Sequence, residues 1–180
     1  MENIYFLMLV TLALLAIVDI VVGVSNDAIN FLNSAIGSKV LSFRTIMIVS
    51  SIGIFIGAVY SSGMMEVARK GIFNPGEFYF DEIMIIFLAV IMTDILLLDF
   101  FNTLGLPTST TVSIVFNLLG AAIVMSLIKI AENNESVLDL ANYINTEKAT
   151  MIIGGILLSV LIAFSVGVIV QWISRLIFSF

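Results

Sequence analysis

The chain has 180 residues, 61% hydrophobic and 11% charged, with mean hydropathy +1.20 and net charge −6; soluble domains carry about 25% charged residues, so this composition specifies an integral membrane protein. It has no cysteine and no histidine, which excludes disulfides, thiolate metal sites and the usual near-neutral proton carrier. The acidic balance lies mostly in loops, at residues 77–82 and 132–147, and nothing resembles the basic footprint of a nucleic-acid binder.

In chain order, Met1-Glu2-Asn3 lacks the positive region of a signal peptide, and no small-residue cleavage site follows. The first apolar run is therefore read as a retained transmembrane helix. A hydrocarbon core is crossed by about 20 apolar residues. Five stretches meet or approach that length: 4–24, interrupted by Thr11 and Asp19; 45–65, with Gly53, Gly57, Ser61, Ser62 and Gly63; 83–104, with Asp94, Asp99 and Asn102; 113–131; and 149–173, with Gly154, Gly155 and Gly167. A weaker apolar segment, 28–36, is too short to span. Gly53 and Gly57 form a Gly-xxx-Gly pair, a pattern that lets a second helix approach closely.

Two polar loops, 69–82 and 132–148, interrupt a single transmembrane domain over 1–180. The first turns at Pro75-Gly76. In the second, Val137, Leu140, Ala141 and Ile144 follow the spacing of one helical face, predicting a short interfacial helix over 136–145. Trp172 and Arg175 suit a membrane interface. Lys39, Arg44, Arg69, Lys70, Lys129, Lys148 and Arg175 are spread almost evenly, so the positive-inside count assigns no orientation.

Three constellations carry chemistry. Ser25-Asn26-Asp27-Ala28-Ile29-Asn30 is a polar break between apolar runs. An ionisable residue at the centre of a membrane helix costs roughly 2.5–3.5 kcal/mol and usually marks an ion or substrate path. Asn26 and Asn30, four apart, share a helical face. If the helix unwinds here, the freed carbonyls join the Asn and Asp oxygens as ligands for a hard cation such as Na⁺. The plainer alternative is a polar contact between helices. Next, Gly105-Leu106-Pro107-Thr108-Ser109-Thr110-Thr111 ends one helix and caps another. A helix start offers free amides and partial positive charge to an anion, and four consecutive hydroxyls exceed what a surface cap needs. Third, Asp94, Asp99 and Asn102 share one apolar helix. Asp99 and Asn102 lie on one face with Asp94 about 140° away, so they line a cavity or bond neighbouring helices; Asp19 is similar. There is no phosphate-binding glycine loop, nucleophile–base pair or metal cluster, so the chain is read as no enzyme and as needing no cofactor.

The two main motifs together resemble the inorganic phosphate transporter family of the PiT type, sodium- or proton-coupled phosphate symporters. Its first signature runs approximately Gly-Ala-Asn-Asp-x-Ala-Asn; here it reads Val24-Ser25-Asn26-Asp27-Ala28-Ile29-Asn30. The second runs Gly-Leu-Pro-x-Ser-Thr-Thr-His; here it reads Gly105-Leu106-Pro107-Thr108-Ser109-Thr110-Thr111-Val112. The likeness covers roughly residues 1–131. Val24-Ser25 replaces Gly-Ala, Ile29 replaces a small residue, and Val112 replaces the His, which removes any proton role for it and tilts coupling toward Na⁺.

The resemblance implies an all-α polytopic membrane helix bundle of about five spans, with one broken helix and a re-entrant helical hairpin at Thr108–Thr111. That family carries each motif twice, in inverted repeats, and this chain carries one copy, so it corresponds to one half of an inverted-repeat transporter. The implied function is cation-coupled phosphate symport across a bacterial or archaeal cell membrane. Phosphate would be held by Ser109, Thr110 and Thr111, with Thr108 beside them, and Na⁺ or H⁺ by Asn26, Asp27, Asn30 and Ser25. The expected partners are phosphate, the coupling ion, the lipid bilayer, and a second repeat or an antiparallel homodimer partner. Asp27 and phosphate repel by about 4 kcal/mol per unit-charge pair at 4 Å and an effective dielectric of 20; a cation between them reverses the sign and makes binding interdependent. Alternatives are a non-transporting regulatory or assembly half-protein, and a transporter of another tetrahedral oxyanion such as sulfate.

Overall fold

The computed structural model describes residues 2–61 and 71–178. Among them, regular structure is helical apart from one isolated antiparallel bridge, Phe73 to Ile144. The helices are α1 (Glu2–Ser38), α2 (Phe43–Val59), α3 (Phe80–Leu104), α4 (Thr110–Asn133), α5 (Leu140–Tyr143) and α6 (Thr146–Phe178). The protein is a polytopic membrane helix bundle, as its composition predicts. Helices α1, α3, α4 and α6 are each long and apolar enough to cross a membrane, and α2 is a shorter apolar helix. The expected second span continues past α2 into residues 62–65. These, with Ser62, Gly63, Arg69 and Lys70, lie outside the described residues.

The chain divides into two units, Met1–Asn145 and Thr146–Phe180. In the first, α1, α3 and α4 form the core. Ile86, Val90, Leu98, Val115, Leu118 and Ala122 are buried between them. The second unit is the single helix α6. It carries Trp172 and Arg175 near its C-terminal end, and its long apolar faces suit a lipid environment.

Local chemistry sets the helix ends. Ser42 caps α2, its hydroxyl accepting from the Thr45 amide at 3.3 Å. The Glu82 carboxylate accepts the Tyr79 amide at 2.6 Å and fixes the start of α3. Gly105 ends α3 in the left-handed region, at φ 68°, which costs a residue with a Cβ roughly 1–2 kcal/mol. Ser109 caps α4, accepting from the Val112 amide at 3.3 Å. The segment 105–109 therefore joins α3 and α4 in a tight helical hairpin, each arm of which is long and apolar enough to cross a membrane.

The far end of the hairpin is clamped. Lys129 pairs with Glu82 at 2.8 Å, its ammonium 4.2 Å from the centre of the Tyr79 ring. The two polar loops join there. The Asn74 amide donates to the Tyr143 carbonyl at 2.8 Å and the Asn145 amide to the Ile72 carbonyl at 3.0 Å, above a cluster of Phe73, Phe78 and Tyr143 rings.

Three local expectations need correction. The polar break does not unwind: α1 is one continuous helix through Ser25–Asn30. Its backbone bonds survive because the polar side chains find lateral partners, and Val24-Ser25 lacks the glycine that would favour opening. The segment 136–145 is not one amphipathic helix. It forms a 3-10 turn, Val137–Asp139, followed by α5. Of the predicted stripe only Ile144 is buried, while Val137 and Ala141 are exposed and the off-stripe Tyr143 is buried instead, because the bridge from Phe73 to Ile144 sets what turns inward. Gly53 and Gly57 meet no atom within 4 Å of where a Cβ would stand, so among the described residues no helix packs against this pair.

Candidate functional site

The site grows from the seam where α1 meets the α3–α4 hairpin. A continuous helix places Asn26 and Asn30 one above the other, and both turn toward the hairpin. Asn26 is 2% exposed. Its amide nitrogen donates to Asn102 Oδ1 at 2.8 Å. Asn102 in turn donates to the Val22 carbonyl at 3.4 Å. Asn30 donates to the Thr108 carbonyl at 2.9 Å and to Asn26 Oδ1 at 3.4 Å. The hairpin tip thus meets α1 about 12 Å before its C-terminal end, at 1.5 Å per residue over eight residues.

Asp27 faces the start of α4. Thr110 Oγ1 donates to its carboxylate, at 3.2 Å from Oδ2 and 3.4 Å from Oδ1. The two polar motifs, about eighty residues apart in sequence, therefore meet through two contacts, Asn30 to the Thr108 carbonyl and Thr110 to the Asp27 carboxylate. On its other side, Asp27 lines a cavity of about 470 Å³ between α1 and α2, with Met47, Ser50 and Ser51 on the α2 wall.

The remaining predicted residues separate. Ser25 is exposed and bonds its own helix, donating to the Val21 carbonyl at 2.7 Å. Ser109 serves as the α4 cap, and Thr111 is exposed beside it. Asn102 belongs to the seam. Asp99, about 60° around α3 from Asn102, is exposed on the outer side. Asp94 is 1% exposed and belongs to a deeper cluster. Ser113 Oγ donates to Asp94 Oδ1, and Asn117 donates to the same oxygen at 3.0 Å.

Ser113, Asn117, Ser50 and Ser51 were not singled out in the sequence. Ser113 and Asn117 had a signal: two polar residues four apart in an apolar helix share a face. Ser50 and Ser51 had none, because serines are ordinary in membrane helices. Among the described residues, no group of acidic side chains has the arrangement of a metal centre. The polar atoms of the seam come instead from carboxamide, carboxylate, hydroxyl and backbone oxygens around one helix start, a donor set suited to small ions.

Comparison with known proteins gives a consistent picture. The phosphate transporter family matches the chain over residues 23–179. The chain is 32% identical over 106 residues to a protein of Mycobacterium bovis named "putative phosphate permease", covering 57% of this chain and 19% of that relative. A protein of the same name from Pyrococcus furiosus is 32% identical over 103 residues, covering 56% of this chain and 25% of its own length. The chain thus matches about a fifth to a quarter of the length of these curated relatives. No solved structure gives a significant match.

Proposed function

The chain belongs to the phosphate transporter family, and on that premise we propose that it forms one repeat of a cation-coupled inorganic phosphate symporter. Phosphate binds at the start of α4, against the hydroxyls of Ser109, Thr110 and Thr111 and the free amides behind them, where the helix dipole favours an anion. The tip residue Thr108 borders the site. Na⁺, or H⁺, binds at Asp27 with Asn26, Asn30 and the flanking Ser25. The second repeat, from the rest of a longer chain or from an antiparallel copy, completes the site in the manner of inverted-repeat transporters.

The observation that carries this reading is the hydrogen bond from Thr110 to Asp27. A carboxylate beside a phosphate site opposes phosphate by about 4 kcal/mol per charge pair at 4 Å. The same hydroxyl cannot serve Asp27 and phosphate with one proton. A cation on Asp27 cancels the repulsion and frees Thr110 to donate to phosphate. Each ion then binds more tightly in the presence of the other, which is the thermodynamic basis of symport.

The test is uptake of labelled phosphate by liposomes containing the full-length protein, with the cation gradient varied. A hydrogen bond to a charged group contributes roughly 1.5–3 kcal/mol, so Thr110→Val should weaken phosphate uptake by about tenfold or more. Asp27→Asn should abolish its dependence on the cation gradient. If both variants transport like wild type with the cation dependence intact, the reading fails.

A further inference from the structure

About two turns before Asn26 on α1, a second polar site lies in the same seam, and the function proposed above does not use it. Asp19 of α1 lies within hydrogen-bonding reach of Asp94 of α3. Asp94 is 1% exposed, and α4 supplies it with two donors, Ser113 Oγ and Asn117 Nδ2, both to Oδ1. Asn117 also donates to Ser113 Oγ at 3.2 Å. Asp19 Oδ1 is buried with no hydrogen-bond partner.

Counting protons decides what this site lacks. Two carboxylates supply only acceptors, so no hydrogen bond can join them unless one carries a proton. The donors of Ser113 and Asn117 are already committed to Asp94 and to each other. Among the described residues, Asp94 is the one charged group set against Asp19, and the non-titrating Ser113 and Asn117 are the polar groups that α4 presents to the pair. Lys129, the lysine of α4, is paired with Glu82 at the far end of the hairpin. Two adjacent carboxylates repel strongly away from water, and a shared proton removes the repulsion while supplying the missing hydrogen bond.

We propose that Asp19 and Asp94 form a proton-binding site in which one exchangeable proton bridges the two carboxyls. A metal cation fits the donors less well. Asn117 turns its NH₂ group, not its carbonyl, toward Asp94 and Ser113, and a cation would be met by those N–H hydrogens. Asp19 and Asn26 share one rigid helix, and Asp94 and Asn102 share another. The Asp19–Asp94 and Asn26–Asn102 contacts therefore tie α1 to α3 at two levels, about 10–12 Å apart along the helices. Gain or loss of the proton changes the attraction between α1 and α3 directly below the Asn26–Asp27 site. The influence on phosphate movement rests on the function proposed above; the proton itself does not.

The experiment is infrared spectroscopy of the full-length protein in liposomes without phosphate, in H₂O and D₂O, with and without Na⁺. The expected result is a protonated-carboxyl band at neutral pH. It shifts in D₂O, is insensitive to Na⁺, and is lost in both Asp19→Asn and Asp94→Asn. In either variant the introduced amide supplies the hydrogen bond and leaves a single carboxylate. A band that appears only when Na⁺ is withdrawn assigns the site to the metal ion and overturns the proposal. So does a band that survives both substitutions, or the absence of a band under every condition. Thermal melting checks that each variant is folded; Asp19→Asn, at the less buried partner, decides alone if Asp94→Asn does not fold. Because phosphate is absent, failure here is distinct from failure of the transport reading.

Discussion

Replacing Asn102 by Leu tests whether the seam between α1 and α3 is held by satisfied polar groups. Asn102 Oδ1 accepts the amide of Asn26 at 2.8 Å, and Asn26 is 2% exposed, so water cannot take over that bond. In Asn102→Leu the Asn26 NH₂ group is left buried without its acceptor, and such an orphan costs about 1–3 kcal/mol. Asn102 also gives up its longer bond to the Val22 carbonyl, at 3.4 Å. The double variant Asn26→Leu with Asn102→Leu removes both partners and leaves an apolar contact of similar shape. Asn30 keeps its stronger bond, to the Thr108 carbonyl at 2.9 Å. The double variant is therefore expected to be more stable than the sum of the single losses. The coupling should be roughly 0.6 kcal/mol and at most about 1.7, the average and the maximum that double-mutant cycles give for hydrogen bonds between membrane helices. Equilibrium unfolding of the full-length protein in mixed micelles measures all four corners of the cycle. A coupling of zero, or an Asn102→Leu variant as stable as wild type, would refute the claim that this pair holds the seam.

Three further outcomes follow from the fold. Gly105→Ala forces a Cβ into the left-handed region at φ 68° and should destabilise the hairpin by about 1–2 kcal/mol, read in the same unfolding assay. Lys129→Met leaves Glu82 without its cation where the side chains are only 13% and 16% exposed. Its cost should fall below the roughly 3–5 kcal/mol of a fully buried broken pair and be reduced by Glu82→Gln in the same chain. Tyr143 donates to Glu135 Oε2 at 2.8 Å, and that bond to a carboxylate, with burial, holds its hydroxyl proton above the usual value of 10.0. The stabilisation is present below pH 10 and lost as pH rises through the higher folded value. Ultraviolet titration should show one of the four tyrosines ionising late, and Glu135→Gln should bring it back toward the others.

Much of the fold was legible because membrane spans are written in composition. The apolar runs at 83–104, 113–131 and 149–173, the Gly105-Leu106-Pro107 stop and the Ser109 cap are local signals, and each falls in or at the end of a helix as expected. The polar break was legible as a place of polar contacts and misleading as a backbone feature. Asn26, Asp27 and Asn30 look like residues that open a helix, yet α1 runs through them. What keeps it closed are partners far along the chain: Asn102, Thr108 and Thr110. No local pattern could reveal those distances.

The sequence by itself determined the membrane class, the long apolar helices and the two polar motifs, because hydrocarbon admits few solutions and penalises every stray polar group. It also carried enough of both motifs to suggest an ion pathway. Only the tertiary structure decided which polar side chains meet. Asp94 turns inward to Ser113, Asn117 and Asp19, while Asp99, five residues on, stays exposed. The physical reason is rotation: a residue's place around a helix follows from spacing, but what faces it depends on how neighbouring helices are docked. Packing of α1 against the hairpin joins Asp27 to Thr110, and it brings two separate motifs into contact.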